Sequence, residues 1–404
     1  MTDKLKAMRT GRSRSMYRLL LTALCALTFV YGVYCVNRFG NPVSDCTPDE
    51  TNYIAMAERL LNEHVYSFWG DGPDAYVTPG YPLLLTLGMA LFGAGAKGLF
   101  AIRIMQCAML TAAVALTARL ARLLSGRSLA GLIASGLVAA NFSYDYFAVH
   151  LLTEVPYVCF LMVFLALFLE AQRRGRLWLH AAAGAAFAAA VLIRPMIFVT
   201  LPFWYLVPLL RPRGKRLQVC KAVGWFLIGM AVVFSPWWIR NAVVLHRFVL
   251  FGTQTNPMFS GLAENIWQYG LDDPGTLRGN LSLLLTFLRK RPVETLRWMT
   301  FGKFRLIFIN TFESYHFPGV TTVCQHLAVY VGLTGGVCAL MSRSLRGAAL
   351  PFWVYFAVSF LFVPEPRFAL QYIPLLAVFS GWLVSAALTQ ARRENATAPD
   401  EPEH

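Results

Sequence analysis

Two adjacent carboxylates, Asp49 and Glu50, follow the first apolar stretch of a chain in which acids are scarce, with 21 Asp and Glu against 36 Lys and Arg. A carboxylate in such a place can take a proton from a hydroxyl nucleophile. The pair therefore indicates chemistry at one face of a membrane rather than passage through it. A structural alternative is a capping box, in which Thr47 caps a helix, Pro48 opens it and Glu50 lies three residues after the cap.

A third carboxylate, Glu154, lies in a short turn between two apolar stretches. A charge at a membrane boundary is costly unless it is paired or functional, so Glu154 is a candidate for holding a sugar or an acceptor. Its structural alternative is a helix start with Thr153 as the cap. Tyr53 follows Asp49 by about one helical turn and is predicted to line the same pocket.

Three arginines fall at predicted helix ends on the same face, namely Arg194, Arg240 and Arg367, and Asn241 follows the second of them. Guanidinium groups match the geometry of a phosphate. Together these residues could bind a phosphorylated substrate at the mouth of a helix bundle. The alternative for each arginine is a place in the interfacial belt beside tryptophans, with its charge reaching out to water.

The composition predicts an all-α polytopic membrane protein. The chain is 57% hydrophobic and 14% charged, whereas soluble domains are about a quarter charged. Its mean hydropathy is +0.51, and apolar runs of about twenty residues, enough to cross a bilayer, recur along it. The net charge of +15 sits largely in short loops. It is therefore a topology signal rather than a nucleic-acid surface.

Basic loops orient the chain, because cytoplasmic loops carry an excess of Lys and Arg. With both ends inside, about ten transmembrane helices are predicted, at 19–36, 99–121, 128–149, 155–171, 177–193, 196–210, 218–238, 321–341, 347–363 and 367–388. Residues 1–388 then form one membrane domain, with 389–404 as a disordered cytoplasmic tail.

Two long extracytoplasmic loops, 37–98 and 239–320, result from this topology and are predicted to carry juxtamembrane helices. The apolar stretch 80–94 is short for a span, and it is interpreted as a juxtamembrane or half-inserted helix.

Several motifs of other enzyme classes are missing from the sequence: a Walker A loop, a GxSxG elbow, an HExxH helix and an Asp-x-Asp pair. A sugar nucleotide held through a metal is therefore not indicated, and no cofactor is predicted. An acidic pair also suits a divalent cation, so metal dependence stays open.

Five short motifs, in order, carry a family resemblance: 48–53 (PDETNY), 78–82 (TPGYP), 153–156 (TEVP), 236–241 (PWWIRN) and 364–368 (PEPRF). In these the chain resembles the GT-C superfamily of membrane glycosyltransferases. The nearest branch is the glycosyltransferase 39-like one, which contains the lipid A aminoarabinose transferase and the protein O-mannosyltransferases. The second motif contains Tyr81, which with Tyr53 is a candidate for substrate binding.

The resemblance implies an inverting transfer of a sugar from a polyprenyl-phosphate carrier at the extracytoplasmic face of the inner membrane. The acceptor would be a lipid, a glycan or a protein. Asp49 or Glu50 would be the base, Glu154 would hold the sugar or acceptor, and the arginines would clamp the phosphate. Two other hypotheses are a transporter or flippase of an amphiphilic envelope precursor, and a non-catalytic partner in envelope assembly.

Overall fold

The computed structural model describes residues 2–40, 47–210 and 216–397, and within these ranges every regular element is helical. The α-helices, named α1 to α16 in chain order, are Thr2–Phe39, Pro48–Glu63, Gly80–Phe92, Ala96–Ser125, Ser128–Ala139, Ser143–Val149, Glu154–Arg174, Leu177–Ile193, Phe203–Leu209, Arg216–Val244, Asn256–Phe259, Leu277–Lys290, Pro292–Arg297, Pro318–Met341, Arg346–Ser359 and Ile373–Thr397. Single 3₁₀ turns at Pro195–Thr200, Ile266–Tyr269 and Pro366–Ala369, and π-helical turns at Trp298–Gly302 and Arg305–Ile309, complete the structure.

Six helices are long and apolar enough to cross a bilayer: α1, α4, α7, α10, α14 and α16. A seventh crossing is possible if α5 and α6, which meet at an angle of 60°, act as one bent span. At the bend, the Phe142 N–H donates to the Thr321 hydroxyl at 3.2 Å, so a side chain of α14 replaces the missing helical bond. The chain is a multi-pass membrane protein.

The prediction of about ten spans is confirmed only in part. The stretches predicted as spans at 177–193, 196–210 and 347–363 are helical but short. Helix α8 has 17 residues, which gives it a length of about 26 Å, less than the roughly 30 Å of a hydrocarbon core. Pro202 stands at the N-cap of α9 and Pro208 lies in its last turn, and Pro364 follows soon after α15. Proline has no N–H to donate, and this shortens the helices.

The two long loops carry the helices expected of them. The first contains α2 and α3, and the 13 residues of α3 are too few to cross a bilayer by themselves. The second begins later than predicted, because α10 continues to Val244. It then holds α11, α12 and α13. Arg240 and Asn241 therefore lie within the last turns of a long helix rather than just beyond it.

The predicted disordered tail begins too early. Helix α16 continues to Thr397, because the residues after 388 include the good helix formers Ala, Gln and Arg. Residues 398–404 lie outside the described part of the chain.

Candidate active site

Asp49 and Arg367 form an ion pair between the start of α2 and the turn before α16. The Arg367 Nη1 donates to Asp49 Oδ2 at 3.0 Å. Glu365 Oε2 also lies 2.5 Å from Arg367 Nε, although this nitrogen has no aligned hydrogen-bond acceptor in the described structure. The Asp49 side chain is 51% exposed and that of Arg367 only 23%. Solvent therefore reaches the carboxylate more readily than the guanidinium.

Glu154 and Arg194 form a second, more buried pair, between the start of α7 and the end of α8. The Arg194 Nη2 donates to Glu154 Oε1, and its Nε donates to the Thr153 hydroxyl at 2.9 Å. Thr153 takes the N-cap position of α7, as the structural alternative predicts, but its side chain makes no capping hydrogen bond. The other oxygen of Glu154, Oε2, is buried without a hydrogen-bond partner in the described structure.

Phe368 joins the two pairs. The guanidinium carbons of Arg194 and Arg367 each lie 5.4 Å from the centroid of its ring. This is within the range of a cation–π contact. One aromatic side chain thus holds two cations close together. The structure thus brings together Asp49, Glu154, Arg194 and Arg367. The first and the last of these are more than three hundred positions apart in the sequence.

The two ion pairs form one charged cluster, which consists of Asp49 with Arg367 and Glu154 with Arg194. Burial lowers the pKa of Arg367, but the carboxylates of Glu154, Glu365 and Asp49 outweigh burial and raise it. Tyr53 lies among the same charges, and burial raises the pKa of its hydroxyl above the ordinary value. Tyr53 is therefore a neutral hydroxyl at physiological pH and able to donate a hydrogen bond.

Glu50 points away from this cluster into the protein. Its Oε1 accepts from Arg103 Nη2 at 3.1 Å and from the Leu151 N–H at 3.0 Å, and its Oε2 lies 2.8 Å from His150 Nδ1. Burial alone would raise the pKa of Glu50, but these hydrogen bonds and the neighbouring positive charge lower it overall. Only half of the predicted capping box forms, in which the Thr47 hydroxyl accepts from the Glu50 N–H at 3.2 Å.

Glu50→Gln is expected to destabilise the fold by about 3–5 kcal/mol, because it leaves Arg103 as a buried charge without its counter-ion. Thermal unfolding in a neutral detergent would measure the change. Glu63→Gln is the matched control, since Glu63 is exposed on the same helix. An unfolding temperature of Glu50→Gln equal to that of the control would contradict the role of Glu50 as the buried counter-ion of Arg103.

Tyr81 is fully buried, and its hydroxyl donates to Gln106 Oε1 at 3.0 Å. Its ring packs edge-on against Tyr53 at 5.1 Å. Gly80, beside it, touches the backbone of Leu192 so closely that a Cβ would lie 2.6 Å from the carbonyl carbon. The second motif therefore packs α3 against the end of α8, and so positions Arg194 and Tyr53. The predicted contact of Tyr81 with substrate stays a prediction.

Arg240 and Asn241 are not part of the cluster in this structure. The Arg240 guanidinium donates to the carbonyl oxygens of Tyr66 at 2.9 Å and Asp74 at 2.6 Å, which lie in the first loop. Asn241 is buried and accepts from Arg240 Nη1 at 2.9 Å. Arg240 thus ties the end of α10 to the first loop, and binding of substrate by either residue stays a prediction.

A buried lysine holds the segment that leads to Arg367. Lys303 Nζ donates to the carbonyl oxygens of Phe360 at 2.6 Å and Phe362 at 3.0 Å, just after α15. The Val363 N–H donates to the Pro257 carbonyl at 2.7 Å. The second loop therefore fixes the chain between α15 and Glu365.

Burial lowers the pKa of Lys303 to about 7, against about 10.4 for a lysine in an unfolded chain. Between these values the unfolded chain binds more protons than the folded one, so rising pH stabilises the fold. As pH rises through this range, the free energy of unfolding of wild type should increase relative to that of Lys303→Met by up to about 1.4 kcal/mol per pH unit. Unfolding temperatures of both proteins from pH 7 to about 9.5 would measure the gain. A difference between them that does not change with pH would contradict the lowered pKa.

Sequence reasoning missed Arg103, His150 and Phe368 as contributors. Arg103 had a usable signal, because a lone charge inside the apolar stretch of α4 needs a partner. Among the side chains that the structure describes, no group of three or more His, Cys, Asp or Glu could hold a metal ion.

Residues 75–239 match a protein family described as dolichyl-phosphate-mannose-protein mannosyltransferase. The family resemblance of the sequence is confirmed. The matched segment contains Glu154 and Arg194, whereas Asp49 and Arg367 lie on either side of it. No curated protein sequence matches the chain significantly.

Solved structures of low sequence identity with TM-scores above 0.5 share the fold. The archaeal oligosaccharyltransferase AglB of Archaeoglobus fulgidus, in complex with an inhibitory peptide and a dolichol-phosphate, is 13% identical with a TM-score of 0.53. Its apo form is 14% identical with a TM-score of 0.54. The match covers 95% of this chain and 52–53% of the oligosaccharyltransferase, so the chain spans about half of that protein's length. ArnT of Cupriavidus metallidurans, bound to undecaprenyl phosphate, is 14% identical with a TM-score of 0.44, over 96% of this chain and 82% of that one.

Proposed function

We propose that this protein is an inverting glycosyltransferase that moves a sugar from a polyprenyl-phosphate carrier to a lipid, glycan or protein acceptor at the extracytoplasmic face of the membrane. The observation that supports this most directly is the convergence of Arg194 and Arg367 on Phe368, each paired with a carboxylate. Cations, a candidate base and a buried carboxylate oxygen in one place are the groups that such a transfer requires.

The two guanidinium groups are the proposed clamp for the carrier phosphate. Both are largely buried, with side chains 15% and 23% exposed, so their donors are already fixed in place when charge develops on the leaving oxygen. Asp49 is the more exposed partner of Arg367. A phosphate that approaches the pair would take the place of Asp49 on the guanidinium.

This exchange would free Asp49 to act as the base. The acceptor hydroxyl oxygen attacks the anomeric carbon from the side opposite the carrier, and its proton passes to the Asp49 carboxylate. The bond between the anomeric carbon and the phosphate oxygen breaks, and its electron pair stays on the phosphate. The sugar is transferred with inversion. The leaving group is polyprenyl phosphate, and Arg194 and Arg367 stabilise its negative charge. Glu50 has no part in this step, because its oxygens are engaged inside the protein.

Glu154 is proposed to hold a hydroxyl of the sugar or acceptor. Its Oε1 is taken by Arg194, while its buried Oε2 has no partner in the described structure. An unsatisfied buried carboxylate oxygen is costly, and a substrate hydroxyl that donates to it would remove that cost. Tyr53, neutral and next to the cluster, is proposed to donate a hydrogen bond to the same substrate.

A transporter or flippase of an amphiphilic precursor is the second candidate. The bend between α5 and α6, with buried Asp145 just beyond it, is the observation that favours it. Transporters place ionisable groups on broken helices near the bilayer midplane. The paired charges of Asp49, Glu154, Arg194 and Arg367 instead gather at helix ends, and this placement favours a reaction.

The test uses the purified protein in lipid vesicles, with a polyprenyl-phosphate sugar labelled separately in the sugar and in the phosphate. With a membrane extract as acceptor, we expect the sugar label to move to the acceptor while the phosphate label stays with the carrier. Movement of both labels together to the opposite leaflet, with no bond broken, would show the transporter instead.

A further inference from the structure

A groove opens at the other end of the helix bundle, away from Asp49 and Arg367. Its interior runs between α4, α7, α15 and α16 and is apolar, with Leu120, Leu161, Leu165, Ile197, Phe352 and Val378 in its wall. Its mouth carries polar side chains, among them Gln172, Arg173, Arg343 and Ser344. Interior and mouth share Leu124, Leu169, Trp204 and Ala348, so they form one continuous groove.

The two arginines at the mouth have no acidic partner among the side chains that the structure describes. Arg173 and Arg343 are both exposed, on the last turn of α7 and just before α15. Their neighbour Arg174 is different, since it pairs with Glu170, which also pairs with Arg119. The mouth of the apolar groove therefore carries two positive charges that no carboxylate of the described residues balances.

We propose that this groove binds an anionic phospholipid, with the phosphate of its headgroup on Arg173 and Arg343 and one acyl chain in the apolar interior. The groove is walled in part by α4, α7 and α16, three of the helices that are long and apolar enough to cross a bilayer. Its almost wholly apolar lining suits a hydrocarbon chain, and basic residues at a membrane surface attract anionic headgroups. A soluble anion would use the mouth but leave the interior unfilled.

The polyprenyl carrier is a different ligand, and its phosphate belongs at the other end of the molecule. Glu154 and Arg173 lie near opposite ends of α7, which has 21 residues, so about 28 Å separates them along the helix. A phosphate held by Arg194 next to Glu154 cannot reach Arg173. The phospholipid site is thus independent of the proposed transferase function.

The experiment measures binding of phosphatidylglycerol and phosphatidylcholine to the full chain in detergent by native mass spectrometry. We expect wild type to prefer phosphatidylglycerol. Arg173→Gln and Arg343→Gln should each weaken its binding roughly five-fold, and the double variant roughly 25-fold, which is the usual effect of one basic residue at a membrane surface. Arg174→Gln and Arg176→Gln, which remove the same charge outside the groove, should each change binding less than two-fold or so.

A second variant tests the apolar part. Ala348→Phe, at the junction of mouth and interior, should weaken both phospholipids, whereas the arginine variants should affect only the anionic one. Unfolding temperatures without lipid verify that each variant is folded. If Ala348→Phe does not fold, the arginine variants alone test the proposal. A double arginine variant that retains phosphatidylglycerol like wild type would overturn the proposal. So would polyprenyl phosphate that displaces phosphatidylglycerol at equal concentration.

Discussion

Asp49→Asn is expected to lower kcat for sugar transfer by about 10²–10⁴-fold, the usual contribution of a general base. Asparagine keeps the shape of the side chain but cannot take the acceptor proton. The change also removes the ion pair with Arg367, whose Nη1 lies 3.0 Å from Asp49 Oδ2. Initial rates with a labelled polyprenyl-phosphate sugar, at saturating donor and acceptor, would measure kcat.

The control is Asp71→Asn, because Asp71 is an exposed carboxylate of the same first loop. We expect this variant to turn over like wild type. Unfolding temperatures of both variants should stay near that of wild type, since the Asp49 side chain is half exposed. A folded Asp49→Asn protein with the kcat of the control would remove Asp49 from the mechanism.

Arg367→Gln is expected to lower kcat by about 10²–10³-fold, the effect of removing one fixed donor from a developing negative charge. The KM for the carrier should rise as well, because the same guanidinium is proposed to bind the phosphate before the reaction. Arg367→Lys should recover only part of the rate, since an ammonium cannot present the two parallel donors of a guanidinium. The measurement is the same transfer assay over a range of donor concentrations.

Arg305→Gln is the control for this series, as Arg305 is an exposed arginine of the second loop. Arg194→Gln should also be slow, but its effect and that of Arg367→Gln should not add, because both cations contact Phe368 and share neighbouring carboxylates. Full activity in Arg367→Gln, with wild-type KM for the carrier, would contradict the phosphate clamp.

The elements that position the site could be predicted where local rules decide them. Thr47 and Pro48 mark the start of α2, and the helix begins there. The long apolar runs predict the positions of the six candidate spans and of the bent pair α5 and α6. The number of spans could not be predicted in the same way, because prolines and packing against other helices shorten three apolar stretches that hydropathy alone cannot distinguish from crossings.

The meeting of Asp49, Glu154, Arg194 and Arg367 was also predictable, because topology placed all four at one end of the bundle. Which way each side chain turns was not. Glu50 follows Asp49 directly, yet it is held by His150 and Leu151, a hundred residues away. Arg240 likewise donates to carbonyl oxygens of the first loop, which are far from it in the sequence. Such partners are tertiary, and no local period or spacing indicates them.

A structure of the protein with bound polyprenyl phosphate would test the central claim most directly. We expect the phosphate oxygens to lie within about 4 Å of the guanidinium nitrogens of both Arg194 and Arg367, the usual limit for an ion pair. The Asp49 carboxylate should then be separated from Arg367. A phosphate seated elsewhere, with the Asp49 and Arg367 pair intact, would contradict the proposed site.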